Sequence, residues 1–186
     1  MRFRDCFTMD LRASAAKPIL FSNICKGLIL NPGYRAVVYY RIARYLIQIR
    51  FPRRLTNLLG NLLLVRICRI PVVEIGTKYE IGEGLKIHHP HDIVIGRGAI
   101  VGKNVTIYNG VTLGARNLEE LDENKDTSER YPIIEDGVTI FSGSKLLGNI
   151  TVGKNSIIGA NSVVLDSFPR NSIIVGAPAQ LIGKKA

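Results

Sequence analysis

The chain has 186 residues, of which 46% are hydrophobic and 22% charged, and its formal net charge is +10. This balance is that of an ordinary globular protein and excludes a wholly disordered chain. Cys6, Cys25 and Cys68 lack the spacing of a metal site or a disulfide framework, which favours a reducing, cytoplasmic setting. We expect no signal peptide and no membrane-spanning helix, because no apolar stretch has the required form or length.

Residues 1–70 carry the whole basic excess. They contain 13 Lys or Arg residues and two acids, whereas residues 71–186 contain 12 basic and 13 acidic residues. Nucleic acid, an anionic membrane surface and an anionic polymer would each attract such a segment. Nucleic acid is disfavoured, because no binding motif or interleaved aromatic pattern accompanies the charge. We expect the helices of this segment to cap the open end of the next domain with their arginines in solvent, and a peripheral contact with the membrane stays open in addition.

The N-terminal segment is predicted to be helical. Apolar residues recur at helical spacing between residues 34 and 50, after a turn or helix-start signal at Asn31-Pro32-Gly33. Phe51-Pro52 is expected to end this helix, because the residue before a proline is biased away from helix. A second apolar stretch covers residues 55–65. We therefore assign residues 1–70 to a basic helical segment.

Residues 71–183 repeat with a period of six. One aliphatic residue marks each hexad: Ile75, Ile81, Ile87 and Ile93, then Ile95, Val101, Ile107 and Leu113, then Ile134, Ile140, Leu146, Val152, Ile158 and Val164. A period of six rather than two predicts a parallel β-solenoid instead of a sandwich. Six glycines follow the inward aliphatic residue, where we expect turns that require an unusual backbone conformation: Gly76, Gly82, Gly96, Gly102, Gly153 and Gly159.

The repeat is interrupted twice. The register slips by two residues at His88, His89 and His91, which are all the histidines of the chain. Residues 115–132 have no repeat and carry six acids and three bases, so they form either a solvated insertion or a loop over an active site. An irregularity that carries the only histidines is where we expect chemistry.

Several motifs, taken in order, resemble the hexapeptide-repeat acyltransferases of the serine acetyltransferase branch. They are Ile81-Gly-Glu-Gly-Leu-Lys-Ile-His-His-Pro-His-Asp-Ile-Val-Ile-Gly96, Val111-Thr-Leu-Gly114, Leu147-Gly-Asn-Ile150, Gly159-Ala-Asn-Ser-Val-Val-Leu165 and Val175-Gly-Ala-Pro-Ala179. Leu11-Arg-Ala-Ser14 and Asn31-Pro-Gly-Tyr-Arg-Ala36 are similar to the polysaccharide O-acetyltransferases of that branch, including the colanic-acid type. The resemblance implies a left-handed parallel β-helix with an N-terminal α-helical segment. It also implies a homotrimer with active sites between subunits and acetyl-CoA as cosubstrate, and no metal is expected.

By the same resemblance, His89 is the catalytic histidine and Glu74 its carboxylate partner, where relatives more often carry Asp. The chemistry suits these residue types. An imidazole can take the proton of an acceptor hydroxyl as that oxygen attacks the thioester. A carboxylate on the other ring nitrogen fixes the tautomer and stabilises the imidazolium.

The resemblance places the binding of acetyl-CoA at small residues. Gly114, Ala115, Ser142 and Ala160 match positions that line the groove for the pantetheine arm. Lys184 and Lys185, in the tail at residues 184–186, could meet the CoA phosphates as point charges or lie in solvent.

Two departures from the family concern the acceptor. Serine acetyltransferases carry Asp at the position of His88 and His at the position of Tyr131, and both residues help to hold serine. Arg130 remains and could bind a carboxylate through two hydrogen bonds. We interpret the departures as favouring a sugar hydroxyl of a cell-surface polysaccharide or its precursor, with a serine O-acetyltransferase of cysteine biosynthesis as the alternative. The expected location is the cytoplasm, with the inner face of the membrane open.

Two further functions are disfavoured. A zinc enzyme on the same solenoid would draw its histidines from separate coils, whereas here they share one short stretch. A purely structural solenoid would have no reason to concentrate histidines at the register slip.

Overall fold

The computed structural model describes residues 9–10, 12–13, 28, 30–48, 58–60, 62, 73–76, 81–116 and 130–185. The three cysteines, most of the second apolar stretch and residues 117–129 of the acidic insertion lie outside these ranges, so the predictions made for them are not addressed below. Within the second apolar stretch, residues 58–60 and 62 are helical.

The helix predicted from residue 34 is present as α1 (Pro32–Gln48). It begins two residues earlier than expected, because Asn31 caps it. The Asn31 Oδ1 atom accepts a hydrogen bond of 3.0 Å from the backbone N–H of Tyr34. Pro32 then occupies the first helical position, where its missing N–H has no effect on the helix. The helix-start signal is therefore confirmed.

Short strands follow the helical segment. They are β1 (Val73–Ile75), β2 (Lys86–Ile87), β3 (Ile93–Ile95), β4 (Ile100–Val101), β5 (Thr106–Ile107), β6 (Thr112–Gly114), β7 (Ile133–Ile134), β8 (Thr139–Ile140), β9 (Lys145–Leu147), β10 (Thr151–Val152), β11 (Ile157–Ile158), β12 (Val163–Val164), β13 (Ser172–Gly176) and β14 (Ala179–Lys184).

These strands form three sheets that the chain visits in rotation. The first sheet has the order β1-β3-β6-β9-β12, the second β10-β7-β4, and the third β14-β13-β11-β8-β5-β2. All pairs are parallel except the C-terminal hairpin of β13 and β14. Three successive strands thus make one coil, and the predicted parallel, six-residue repeat with a helix before it is confirmed.

The core is a set of stacked aliphatic columns. In the third sheet, one column consists of Ile87, Ile107, Ile140, Ile158 and Ile174, which are all buried. Each such side chain contributes about 1.5–3 kcal/mol by leaving water. Ser144 is buried in a C-terminal coil, and its Oγ is positioned to donate to the backbone oxygens of Phe141 and Gly159. The buried hydroxyl of Ser144 therefore finds its hydrogen-bond partners within the stack.

The glycines that follow the inward aliphatic residue serve a different purpose from the one expected. Left-handed glycine φ angles occur elsewhere, for example at Gly110 and Gly143, and at none of the six predicted positions. A Cβ on Gly82 would instead collide with the backbone of Gly102 in the next coil. The expectation of an unusual conformation was wrong, because these glycines are required by the close approach of adjacent coils.

A buried ion pair joins the helical segment to the first coil. Arg41 of α1 donates from Nε to Asp10 Oδ2 at 2.8 Å, and both side chains are less than 10% exposed. The other Asp10 oxygen accepts from the backbone N–H groups of Gly84 and Leu85 at 2.8 and 3.0 Å. Arg41 also donates to the carbonyl oxygens of Ile81 and Gly82. The helix is thus fixed against the start of the solenoid.

In the described part of the chain, no helix combines the length and apolarity needed to cross a bilayer. The contact of the basic segment with a membrane surface stays a prediction.

Candidate functional site

The histidines lie at the corner between the third and first sheets. His88 N–H donates to the carbonyl of Ile107 at 2.9 Å, and Gly110 N–H donates to the carbonyl of His91 at 2.8 Å. His88 and His91 therefore keep the register of the next coil. The two residues between them, His89 and Pro90, are the register slip, and they form a bulge on the corner.

His89 occupies the exposed part of this bulge. Its φ is 50°, in the left-handed region that non-glycine residues seldom adopt. The N–H of His91 donates to the carbonyl of His89 at 2.7 Å, which closes a tight turn around Pro90. The imidazole of His89 is thereby presented to solvent on a strained turn, an arrangement that is frequent at functional sites.

His88 lies beside His89 in a different environment. The centroids of the His88 and His89 rings are 6.5 Å apart. The His88 ring also stacks on the ring of Tyr108, with centroids 4.8 Å apart and an interplanar angle of 22°. Burial lowers the pKa of His88, and the charges of Lys86 and His89 lower it further. The imidazole of His88 is therefore neutral at neutral pH, with one hydrogen-bond donor and one acceptor.

Glu74 lies on the outward face of β1. It pairs in register with Val94 of β3, one coil further along, and its side chain is exposed. Within the described residues, no hydrogen bond joins its carboxylate to His89. The predicted carboxylate–histidine pair therefore stays a prediction.

Arg130 and Tyr131 lie away from the histidine corner, where the chain enters β7. Arg130 is 6% exposed. The ring of Tyr131 packs on Gly96, just after β3, and a Cβ on that glycine would collide with it. Tyr131 also packs against the hydrophobic core. Its aromatic ring therefore serves the packing between coils.

The residues predicted to bind acetyl-CoA fall in three places. Ser142 and Ala160 occupy successive coils at the histidine corner, where Asn161 N–H donates to the carbonyl of Ser142 at 2.8 Å. Gly114 and Ala115 lie at the opposite end of the first sheet, at the end of β6. Lys184 and Lys185 are exposed at the end of β14. One chain brings Ser142 and Ala160 together with the histidines, but not the other four residues.

Lys145 is a cation near this corner that the sequence analysis missed. Its Nζ atom donates to the carbonyl of Gly110 at 2.7 Å and to Thr112 Oγ1 at 3.1 Å. No signal in the sequence distinguishes it, because it is an ordinary outward residue of a hexad. It places a positive charge on the outer face of the first sheet.

Where side chains are described, no three His, Cys, Asp or Glu residues are grouped so that they could hold a metal ion.

Comparison with known proteins identifies the repeat. Residues 131–166 match the model of the family described as bacterial transferase hexapeptide (six repeats). The chain is 39% identical to a serine acetyltransferase of Synechococcus elongatus over 162 residues, which are 86% of this chain and 61% of that protein. It is 38% identical to a serine acetyltransferase of Helicobacter pylori over 165 residues, which are 87% of this chain and 88% of that protein.

Solved structures show the same likeness. Serine acetyltransferase from Brucella abortus in complex with coenzyme A superposes with a TM-score of 0.78 at 31% identity, over 99% of this chain and 69% of that one. Serine acetyltransferase from Neisseria gonorrhoeae in complex with serine superposes with a TM-score of 0.79 at 30% identity, over 97% of this chain and 69% of that one. The chain spans about three fifths of the length of several curated relatives, such as the Synechococcus protein.

These comparisons correct the expected acceptor. The relatives and structures reported above are serine acetyltransferases and none is a polysaccharide O-acetyltransferase, so the interpretation of the chain as a sugar acetyltransferase was wrong. The physical reason lies in the two departures on which it relied. Tyr131 is used for packing on Gly96, and His88 is a neutral ring that stacks on Tyr108 beside His89, so neither residue requires a sugar. The chain belongs to the serine acetyltransferase family of hexapeptide-repeat proteins.

Proposed function

We propose that this protein is a serine O-acetyltransferase, which transfers the acetyl group of acetyl-CoA to the hydroxyl of serine. The observation that carries the proposal is the 38% identity to the Helicobacter pylori serine acetyltransferase, which extends over 88% of that protein. The likeness to serine acetyltransferases solved with coenzyme A and with serine supports both substrates.

His89 acts as the general base in this proposal. The serine Oγ attacks the thioester carbonyl carbon while its proton moves to the imidazole of His89. The tetrahedral intermediate then collapses, the C–S bond breaks, and the leaving thiolate of CoA takes the proton back from the imidazolium. No enzyme nucleophile is required. The exposure of His89 on its bulge supports this role, because both substrates must reach the ring.

The remaining site residues are proposed to assist His89. Glu74 would hold the second ring nitrogen of His89 and stabilise the imidazolium. His88 would contact serine at the histidine corner, whereas Arg130 and Tyr131, which lie away from that corner, would contact it from a neighbouring copy, with the guanidinium of Arg130 on the carboxylate of serine. Ser142 and Ala160 would flank the pantetheine arm together with Gly114 and Ala115, and Lys184 and Lys185 would meet the CoA phosphates.

We also propose that the coil is left-handed and that the protein is a homotrimer with active sites between subunits. The distribution of the proposed site residues supports the assembly. His89, Ser142 and Ala160 share one corner of the coil, whereas Gly114 and Ala115 lie at the other end of the first sheet. A neighbouring copy can bring these two groups together, and a single chain does not.

The test is thiol release from acetyl-CoA with serine as acceptor. We expect His89→Ala to lower kcat by about a hundredfold to ten-thousandfold, the usual contribution of a general base. His91→Ala is the matched control, because His91 is an exposed histidine of the same corner, and it should retain the wild-type rate. Wild-type turnover in the His89→Ala variant would exclude the mechanism, and a wild type without serine-dependent release would exclude the function.

A further inference from the structure

An aromatic column runs along the outer face of the third sheet and starts at His88. The ring centroids of His88 and Tyr108 are 4.8 Å apart and those of Tyr108 and Phe141 5.0 Å apart, with interplanar angles of 22° and 23°. These separations match the spacing of neighbouring strands, about 4.8 Å. Backbone hydrogen bonds from His88 to Ile107 and from Tyr108 to Ile140 keep the three rings in register.

We propose that Tyr108 and Phe141 are positioning residues of the acceptor site, which hold the ring of His88 in one orientation beside His89. The inference rests on the proposed function, because it takes the surroundings of His89 as the place where serine binds. It extends that function to two residues that no family motif and no sequence pattern singled out.

The stack restricts the ring of His88. An isolated histidine on a surface moves between rotamers, whereas a ring stacked on Tyr108 loses that contact when it turns. The ring of Phe141 stacks on the face of Tyr108 that points away from His88, and this contact restricts the Tyr108 ring in turn. Because the rings of His88 and His89 are 6.5 Å apart, the orientation of His88 decides which of its nitrogens faces an acceptor bound at His89.

The environment of His88 also suits the acceptor. The titratable groups that face it are Lys86 on its own strand and His89 next to it, while the ring of Tyr108 covers it and Phe141 stacks on Tyr108 in turn. A neutral imidazole keeps one nitrogen without a proton, and that nitrogen can accept a hydrogen bond from the ammonium group of serine. A protonated ring could not do so.

The test separates positioning from catalysis by steady-state kinetics. We expect Tyr108→Leu to raise the KM for serine by about threefold to tenfold, the equivalent of one aromatic pair, with the kcat and the KM for acetyl-CoA unchanged. Phe141→Leu should act in the same direction with a smaller effect, and Tyr108→Phe should restore the wild-type KM because the ring is kept. Phe168→Leu is the matched control for Phe141→Leu, because it makes the same substitution beside the second sheet, where Phe168 pairs with Val152. It should leave the KM for serine unchanged.

An unchanged KM for serine in Tyr108→Leu, or an equal rise in Phe168→Leu, would overturn the inference. Failure of the proposed function is recognised separately, as a wild type that releases no thiol with serine. In that case the NMR shifts of the His88 ring protons decide. They should move in Tyr108→Leu and stay in place in Tyr108→Phe, because the ring current of residue 108 acts on them, and unmoved shifts in Tyr108→Leu would overturn the positioning role.

Discussion

Asp10 is a buried carboxylate whose partners are distant in sequence. It is 1% exposed, and it accepts hydrogen bonds from Arg41, Gly84 and Leu85. Removal of this carboxylate takes the Asp10 charge away from the buried guanidinium of Arg41 and leaves the N–H groups of Gly84 and Leu85 without this acceptor. We expect Asp10→Ala to lower the free energy of unfolding by about 3–5 kcal/mol, measured by urea denaturation, because a buried charge that loses its partner is costly.

The control for Asp10 is an ion pair of the same kind on the surface. Lys154 pairs with Asp136 at 3.2 Å, and the two side chains are 57% and 46% exposed. Lys154→Ala should change the free energy of unfolding by less than about 1 kcal/mol, because water screens this pair. Equal effects of Asp10→Ala and Lys154→Ala would contradict the anchoring role of Asp10.

Single residues show where prediction from sequence ends. The bulge at His89 could be predicted, because a two-residue slip in a regular repeat is visible in the amino-acid sequence. The pairing of Asp10 with Arg41 could not be predicted, since the two residues are 31 positions apart and no local pattern connects them. The column of His88, Tyr108 and Phe141 was also missed, because its members become neighbours only when coils stack.

At the scale of the strand, the glycines after the inward aliphatic residue decide how closely coils can stack. Gly82 faces the backbone of Gly102 in the next coil, and backbone atoms cannot move aside as a side chain can. We expect Gly82→Ala to lower the free energy of unfolding by about 1–3 kcal/mol, the usual cost of overpacking. Urea or thermal denaturation monitored by circular dichroism measures it.

Gly183 of β14 provides the matched control. A Cβ at this position would lie 3.9 Å from the Cδ1 atom of Ile173, which is ordinary van der Waals contact. Gly183→Ala should therefore leave stability near that of the wild type. If the two alanine variants unfold together with the wild type, close approach of the coils does not explain Gly82.

Elements were easier to predict than the roles of their residues. The six-residue period can be seen in the amino-acid sequence itself. It located the strands because each hexad buries one aliphatic side chain. The reason for the glycines was misjudged, because a close approach of two backbones and a left-handed turn both require glycine, and the sequence does not distinguish them. The packing of the Tyr131 ring on Gly96 was missed in the same way, because it is a contact between coils, and the role of Tyr131 at the acceptor site stays a prediction.

For the whole molecule, the distribution of the proposed site residues between the two ends of the first sheet bears on assembly. Asn109, at the histidine corner, and Ala115 are six positions apart across β6, so the two groups of site residues lie at opposite ends of the first sheet. A fully extended chain of that length would span about 20 Å, which is an upper limit here because residues 109 and 110 form a turn. We expect light scattering to give three times the chain mass of 20.5 kDa. A monomeric protein with full activity would contradict the trimer.

Hybrid trimers test whether each site takes residues from two copies. His89→Ala removes the proposed base, and Ala115→Trp fills the proposed groove, so each variant alone should be inactive. When both chains are expressed together, a hybrid trimer has one junction at which an intact His89 meets an intact Ala115 of the neighbouring copy. Part of the activity should then return, because that one site is complete. If the mixture is no more active than either variant alone, His89 and Ala115 do not act across a subunit interface.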